Sequence, residues 1–248
     1  MAEWIDPQQQ QQATHGIGTA GANAGAVAFD AGLRSYMLSV YNYMSSGILL
    51  TGVVAMLFAQ TEMAQQIMMN GGLMRWVIML SPLAIVFAMS FGQNKMSTTT
   101  IQALFWAFTV LMGLSMSTIF FVFTGTSIAE TFFATAAAFA GLSLYGYTTK
   151  RNLTGMGSFL IMGLVGLIVA SIVNIFLQSG TLHWVISCAG VLIFAGLTAY
   201  DTQKIKSMYQ YVAGTDMLGK SAVMGALTLY LDFINMFQFL LSFIGDRD

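Results

Sequence analysis

The sequence predicts an all-α integral membrane protein, a seven-transmembrane-helix bundle, on two observations. Of the 248 residues, 56% are hydrophobic and only 8% are charged, against roughly 25% charged in a soluble domain. The apolar residues also fall into seven stretches, each near the roughly 20 residues that a helix needs to cross the hydrocarbon of a bilayer.

In chain order the spans are expected at about Leu38 to Ala59, Leu73 to Phe91, Ile101 to Phe123, Ile128 to Tyr147, Met156 to Leu177, Trp184 to Tyr200 and Ala222 to Ile244. Polar breaks separate them: Gln60-Thr-Glu62 with Asn70-Gly-Gly72, Gly92 to Thr98, Thr124 to Ser127, Thr148 to Asn152, Gln178 to His183 and Tyr211 to Asp216. Loops this short imply antiparallel neighbours and one compact bundle. Pro82, inside the second span, should kink that helix or free a carbonyl. Gly47, Gly52, Gly113, Ser117, Gly163, Gly166 and Ala170 are expected to let helices approach closely, and the nineteen methionines to fill gaps in the core.

Residues 1–33 form the other part of the chain, a Gln/Gly/Ala-rich tail, with the transmembrane domain at 34–248. The tail lacks the basic and apolar regions of a signal peptide and reads as a flexible, solvated extension, its His15 without a specific role. If the tail is cytoplasmic, the inner segments hold Arg34, Lys95, Lys150, Arg151, Lys204, Lys206 and Lys220, and the outer ones only Arg75 and Arg247. Cytoplasmic loops collect Lys and Arg, so the N-terminus is expected inside and the C-terminus outside. A net charge of −1 and the absence of a long basic run give no footing for nucleic acid. The lone Cys188 reads as a packing residue, and no internal repeat suggests an inverted-repeat transporter.

Against this apolar background two carboxylates stand out. Asp201 ends the run Phe194-Ala-Gly-Leu-Thr-Ala-Tyr-Asp201, and Asp232 is the only formal charge between Lys220 and Asp246. A carboxylate at the centre of a membrane helix costs about 2.5–3.5 kcal/mol and faces a bundle interior or a water-filled cavity. Helical spacing adds Ser221, Gly225, Thr228, Asn235 and Ser242 to the face of Asp232. The sixth span contributes His183, Ser187, Gly190 and Thr198 with Asp201, and the fifth contributes Ser171, Asn174 and Gln178. A polar seam lined by Thr198, Thr228, Asn235 and Asn174 is expected between these helices. Asp201 and Asp232 are equidistant from Asp216 and Met217, so a hairpin turning there would bring them to similar depth. Two such carboxylates cannot both ionise cheaply and should titrate as a unit. A transient calcium ion could replace their shared proton, since calcium takes oxygen ligands. The bland alternative makes both aspartates protonated interhelical glue, a role that also suits Asn174 and Gln178; His183 reads as a passive interfacial residue.

These residues resemble a known family. Ala195-Gly-Leu-Thr-Ala-Tyr-Asp-Thr-Gln-Lys204 is similar to the signature of the Bax inhibitor family, the transmembrane Bax inhibitor motif proteins. Val40-Tyr-Asn-Tyr-Met44, Leu50-Thr-Gly-Val-Val-Ala55, Ser143-Leu-Tyr-Gly-Tyr-Thr-Thr-Lys150 and Leu229-Tyr-Leu-Asp-Phe-Ile-Asn235 support it. The resemblance implies a seven-helix fold with the last helix central, a calcium leak, and a di-aspartyl pH sensor at Asp201 and Asp232. It also implies an arginine latch on one aspartate, although no arginine lies deep inside an apolar span, Arg75 standing at the edge of the second. The tail is similar to those of bacterial members, which implies a bacterial inner membrane; some such members are thought to regulate a membrane-bound protease.

The expected function is therefore a pH-sensitive calcium leak channel, with calcium and protons as its traffic, the lipid bilayer as its surroundings and no tightly bound cofactor. A membrane-embedded regulator of a membrane protease or another partner, and a proton-coupled cation exchanger, are the alternatives. Catalysis is not expected. An intramembrane aspartyl protease needs Gly-x-Gly-Asp where this chain has Leu229-Tyr-Leu-Asp232, and no zinc, Walker or Cys/His motif is present.

Overall fold

The computed structural model describes the backbone of residues 7–69 and 72–246, and side chains from residue 29 onward except that of Met69. Residues 1–6, Asn70, Gly71, Arg247, Asp248 and the His15 side chain lie outside the described residues, and so do the expectations placed on Asn70, Gly71, Arg247 and His15.

Eight α-helices follow one another: α1 (Pro7–Ala59), α2 (Glu62–Met69), α3 (Leu73–Gly92), α4 (Thr98–Met116), α5 (Gly125–Thr148), α6 (Thr154–Leu177), α7 (Gly180–Val212) and α8 (Met217–Ile244). All but α2 contain a stretch long and apolar enough to cross a membrane, that of α1 being Phe29–Ala59. No strand occurs among the described residues. The protein is thus a seven-span, all-helical membrane protein.

The helix ends follow from local chemistry. Ser97, Thr124 and Ser179 accept hydrogen bonds from the backbone N–H groups of Thr100, Ser127 and Leu182 at 3.1, 3.2 and 3.3 Å, satisfying amides that a helix start leaves free. Pro82 removes the N–H that would have bonded the Ile78 carbonyl. The hydroxyl of Ser81 donates to that same carbonyl at 3.0 Å, so the helix carries the proline without an orphaned group.

Four features depart from the expected boundaries. The backbone of residues 7–31, expected as a flexible tail, belongs to α1; Gln and Ala are good helix formers, and extending an existing helix avoids the cost of nucleation. Between the first two breaks lies α2, which buries Ala64 and Met68 one turn apart. The third span closes in a 3₁₀ turn, Ser117–Phe121. The sixth does not stop at Tyr200 but runs on through Lys204 and Lys206 to Val212. Within that extension Gln203 and Lys206 find hydrogen-bond partners on neighbouring segments, as described below.

At the centre stands α8, which packs on α7, α1, α5 and α4. Half of its apolar window is buried (50%), against 11% for α3 and α6, which lie at the periphery. Helix α7 turns into α8 through Gly214, at a φ of 72° that glycine adopts without steric cost. Helices α5 and α7 approach closely: a Cβ at Gly146 would collide with the Ala199 backbone carbonyl. Gly47 and Gly113 similarly sit against Phe105 and the Thr51 carbonyl where α1 crosses α4. Gly52 and Gly166, expected in the same role, have nothing within 4 Å; they face outward, where small size serves no helix contact.

A candidate ion site between α6, α7 and α8

The signature stretch on α7 is held from several sides. Tyr200 lays its ring over Gly157 of α6, where a side chain would collide with it. Gln203 accepts from the Leu153 N–H at 2.9 Å and donates to the Arg151 carbonyl at 2.8 Å, pinning the α5–α6 loop. Lys206 donates to the Tyr147 carbonyl at 2.8 Å, near the C-terminus of α5, where a cation also complements the helix dipole. The Thr202 hydroxyl donates to the Thr198 carbonyl at 2.7 Å and so accepts from Ser143 at 3.0 Å. Ser143 in turn accepts from the Tyr41 hydroxyl at 2.7 Å. This directed chain ties α1, α5 and α7 together.

Fixed in this way, α7 presents Asp201 to Asp232 of α8. The two carboxyls come together in the lining of one cavity between these helices. Asp232 is buried at 4% exposure, and Asp201 is half-buried. Oδ2 of Asp232 receives no hydrogen bond among the described residues. A buried oxygen without a donor is costly, which sets Asp232 apart from the other polar side chains of the bundle.

The pair opens into a chamber of about 650 Å³ between α6, α7 and α8, with Ser171, Lys204, Thr228 and Asn235 in its lining. Thr228 donates its hydroxyl proton to the Met224 carbonyl at 3.1 Å, and the Asn235 amide nitrogen donates to the Leu231 carbonyl at 2.7 Å. The Thr228 hydroxyl proton and one Asn235 N–H are thereby committed to the helix, and the side-chain oxygens remain as acceptors. Two carboxyls and two neutral side-chain oxygens thus line one chamber. No group of three or more His, Cys, Asp or Glu gathers among the described residues.

Toward the other end of the helices lies a vestibule of about 370 Å³, lined by Asn174, His183, Ser187, Gln238 and Ser242. His183 and Ser242 are joined at 2.8 Å between Nε2 and Oγ. Asn235 and Phe239 line both spaces. The Phe239 ring stacks on Phe194 at 5.9 Å and lies over Gly190, where a Cβ would come to 2.5 Å from the ring.

The structure therefore brings Asp201, Asp232, Thr228 and Asn235 together at the chamber and puts Asn174 at the vestibule. Asn174 also caps its own helix, accepting from the Ser179 N–H at 3.1 Å. Thr198 is placed elsewhere: it is fully buried, donates to the Phe194 carbonyl at 2.8 Å and lines neither space. Gln178 is exposed at the α6 C-terminus with a φ of 49°. Lys204 and Gln238 were not expected in the site. Each lies three residues past a seam residue, Asp201 and Asn235, so helical spacing alone could have found them.

A family model described as inhibitor of apoptosis-promoting Bax1 matches residues 33–248. The chain is 50% identical over 220 residues to an uncharacterised protein of Rickettsia prowazekii, covering 88% of this chain and 92% of that relative. It is 44% identical over 219 residues to the inner membrane protein YbhL of Escherichia coli, covering 88% and 94%. A protein of Caulobacter vibrioides is 44% identical over 234 residues, covering 90% and 93%.

Proposed function

The chain belongs to the Bax inhibitor family, and from that premise and the facing carboxyls we propose that it is a pH-sensitive calcium leak channel gated at Asp201 and Asp232. The observation that carries this reading is the donorless Oδ2 of Asp232 in a carboxyl pair that opens on a chamber.

With a proton between them, the carboxyls satisfy each other and are poor cation ligands. Without it, two negative charges face one another at low dielectric, and a divalent cation offsets their repulsion. Proton and calcium thus compete for one place, and acid weakens calcium occupancy. Thr228 and Asn235 offer further oxygens, and Phe239, stacked on Phe194, stands in the lining that chamber and vestibule share. Calcium is cargo here, and the protein performs no chemistry on it.

The similarity to an inner membrane protein supports a bacterial inner membrane as its location. Helix order gathers Arg34, Lys95, Lys150, Arg151, Lys204, Lys206 and Lys220 at one end of the bundle, which supports a cytoplasmic N-terminus and an outer C-terminus.

The test is calcium flux into liposomes holding the purified protein, across a pH series, beside the Asp201→Asn/Asp232→Asn double variant. A pH-dependent flux that the variant loses is expected. Flux that requires an opposing proton gradient would make the protein an exchanger. No flux above empty liposomes at any pH would leave a regulator of a membrane protease or another partner, acting through its tail or loops.

A further inference from the structure

We propose that the bilayer-facing cleft between α1 and α5 binds one anionic phospholipid, with an acyl chain in the cleft and the headgroup at Arg34. Both helices pack on α8, yet neither makes its main interface with the other. They are bridged by the Tyr41–Ser143 hydrogen bond. Outside that bridge lies a groove of about 530 Å³ whose walls include Met37, Leu38, Met44, Phe139, Ala140 and Leu144. Its lining is almost wholly apolar, and a dry apolar void in a bilayer forfeits dispersion contacts that a hydrocarbon chain restores.

The groove is polar at one end. Arg34 lines it there and is exposed, with no ion-pair partner among the described residues, Asp30 one turn earlier included. Tyr147 stands at the same end of α5, with the Lys206 amine 4.7 Å from the centre of its ring. A tyrosine and two cations beside the mouth of an apolar groove form the arrangement that holds a headgroup at the membrane surface. Arg34 suits a phosphate because its guanidinium can donate two parallel hydrogen bonds. Along the same seam, farther from Arg34, a second groove of about 300 Å³ runs beside Gly52, Met56, Phe132 and Phe237; the concavity thus continues beyond the leaflet that the headgroup occupies. Neither groove contains Asp201 or Asp232, so the proposal stands apart from the ion path.

The experiment measures thermal unfolding of the full chain in detergent with added phosphatidylglycerol or phosphatidylcholine, together with native mass spectrometry for retained lipid. One retained phosphatidylglycerol is expected, with a midpoint raised by a few degrees above that given by phosphatidylcholine. Arg34→Ala should remove the difference between the lipids. Ala140→Trp, which fills the groove, should remove the rise with either; Leu144→Trp serves if that variant does not fold. Equal effects of the two lipids on the wild-type chain would overturn the proposal. So would a preference that survives Arg34→Ala, one that Arg151→Ala removes as completely, or lipid stabilisation undiminished in the filled groove.

Discussion

Asp232 on α8 and Asp201 on α7 line the same chamber, and Oδ2 of Asp232 meets no donor among the described residues. A proton held by the pair would give that unpartnered acceptor a donor, which two ionised carboxylates lack. A carboxylic C=O stretch is therefore expected in infrared spectra of the wild-type protein at neutral pH. It should lose intensity in Asp232→Asn, and it should vanish from the double Asn variant. Added calcium should diminish the band, since cation and proton compete. A band that calcium leaves unchanged at every pH would separate the pair from calcium binding.

Phe239 and Gly190 provide a test of the barrier between chamber and vestibule. A Cβ at Gly190 would lie 2.5 Å from the Phe239 ring, so Gly190→Ala overpacks the α7–α8 interface and should cost about 1–3 kcal/mol. Shortening the ring relieves the clash: Gly190→Ala/Phe239→Leu should recover most of that loss, with the coupling read from a double-mutant cycle of unfolding midpoints. Phe239→Ala alone should raise calcium flux, as it removes the ring standing in the wall shared by the two spaces. Additive stability effects would show that ring and glycine do not meet.

How far such a site is legible in sequence depends on whether its residues share a helix. Asp232, Thr228 and Asn235 lie on one face at helical spacing, and an intramembrane charge is costly enough to mark itself. The pairing with Asp201 was legible too, because the turn falls midway between them. Thr198 shows the limit. Its spacing from Asp201 puts it near the seam, but helix α5 approaches that side of α7 through Gly146 and seals it. The continuation of α7 past Tyr200 escaped for a similar reason. Lys204 and Lys206 look like the end of a span until the partners on α5 and the chamber wall are known. The α1–α5 cleft could not be read at all, being a space left where two helices fail to pack.

Ser81 and Pro82 form a second cycle with an unusual sign. Ser81→Ala leaves the Ile78 carbonyl without a donor, at a cost of about 0.6–2 kcal/mol for a hydrogen bond within a membrane helix. Pro82→Ala supplies the missing N–H to the same carbonyl, so in that background Ser81→Ala should be nearly neutral. The measurement is the unfolding equilibrium of the four variants in detergent or bicelles. A loss on Ser81→Ala that is just as large without the proline would mean that the serine acts by some route other than replacing the absent amide.

Gly146 and Gly166 make the sharpest contrast, because both are helix-interior glycines in spans of similar kind. Beside Gly146 the obstacle is the Ala199 carbonyl of α7, which is backbone and cannot rotate away. Gly146→Ala must push α5 off α7, which strains the Ser143–Thr202 bond three residues away. A loss at or above the upper end of the usual 1–3 kcal/mol for overpacking is expected. Gly166 has nothing within 4 Å, and alanine there gains up to about 1 kcal/mol of helix propensity. Gly166→Ala should therefore be neutral or stabilising. Unfolding midpoints of the two variants decide the matter: similar shifts in both would mean that α5 and α7 do not meet at Gly146 as the structure places them.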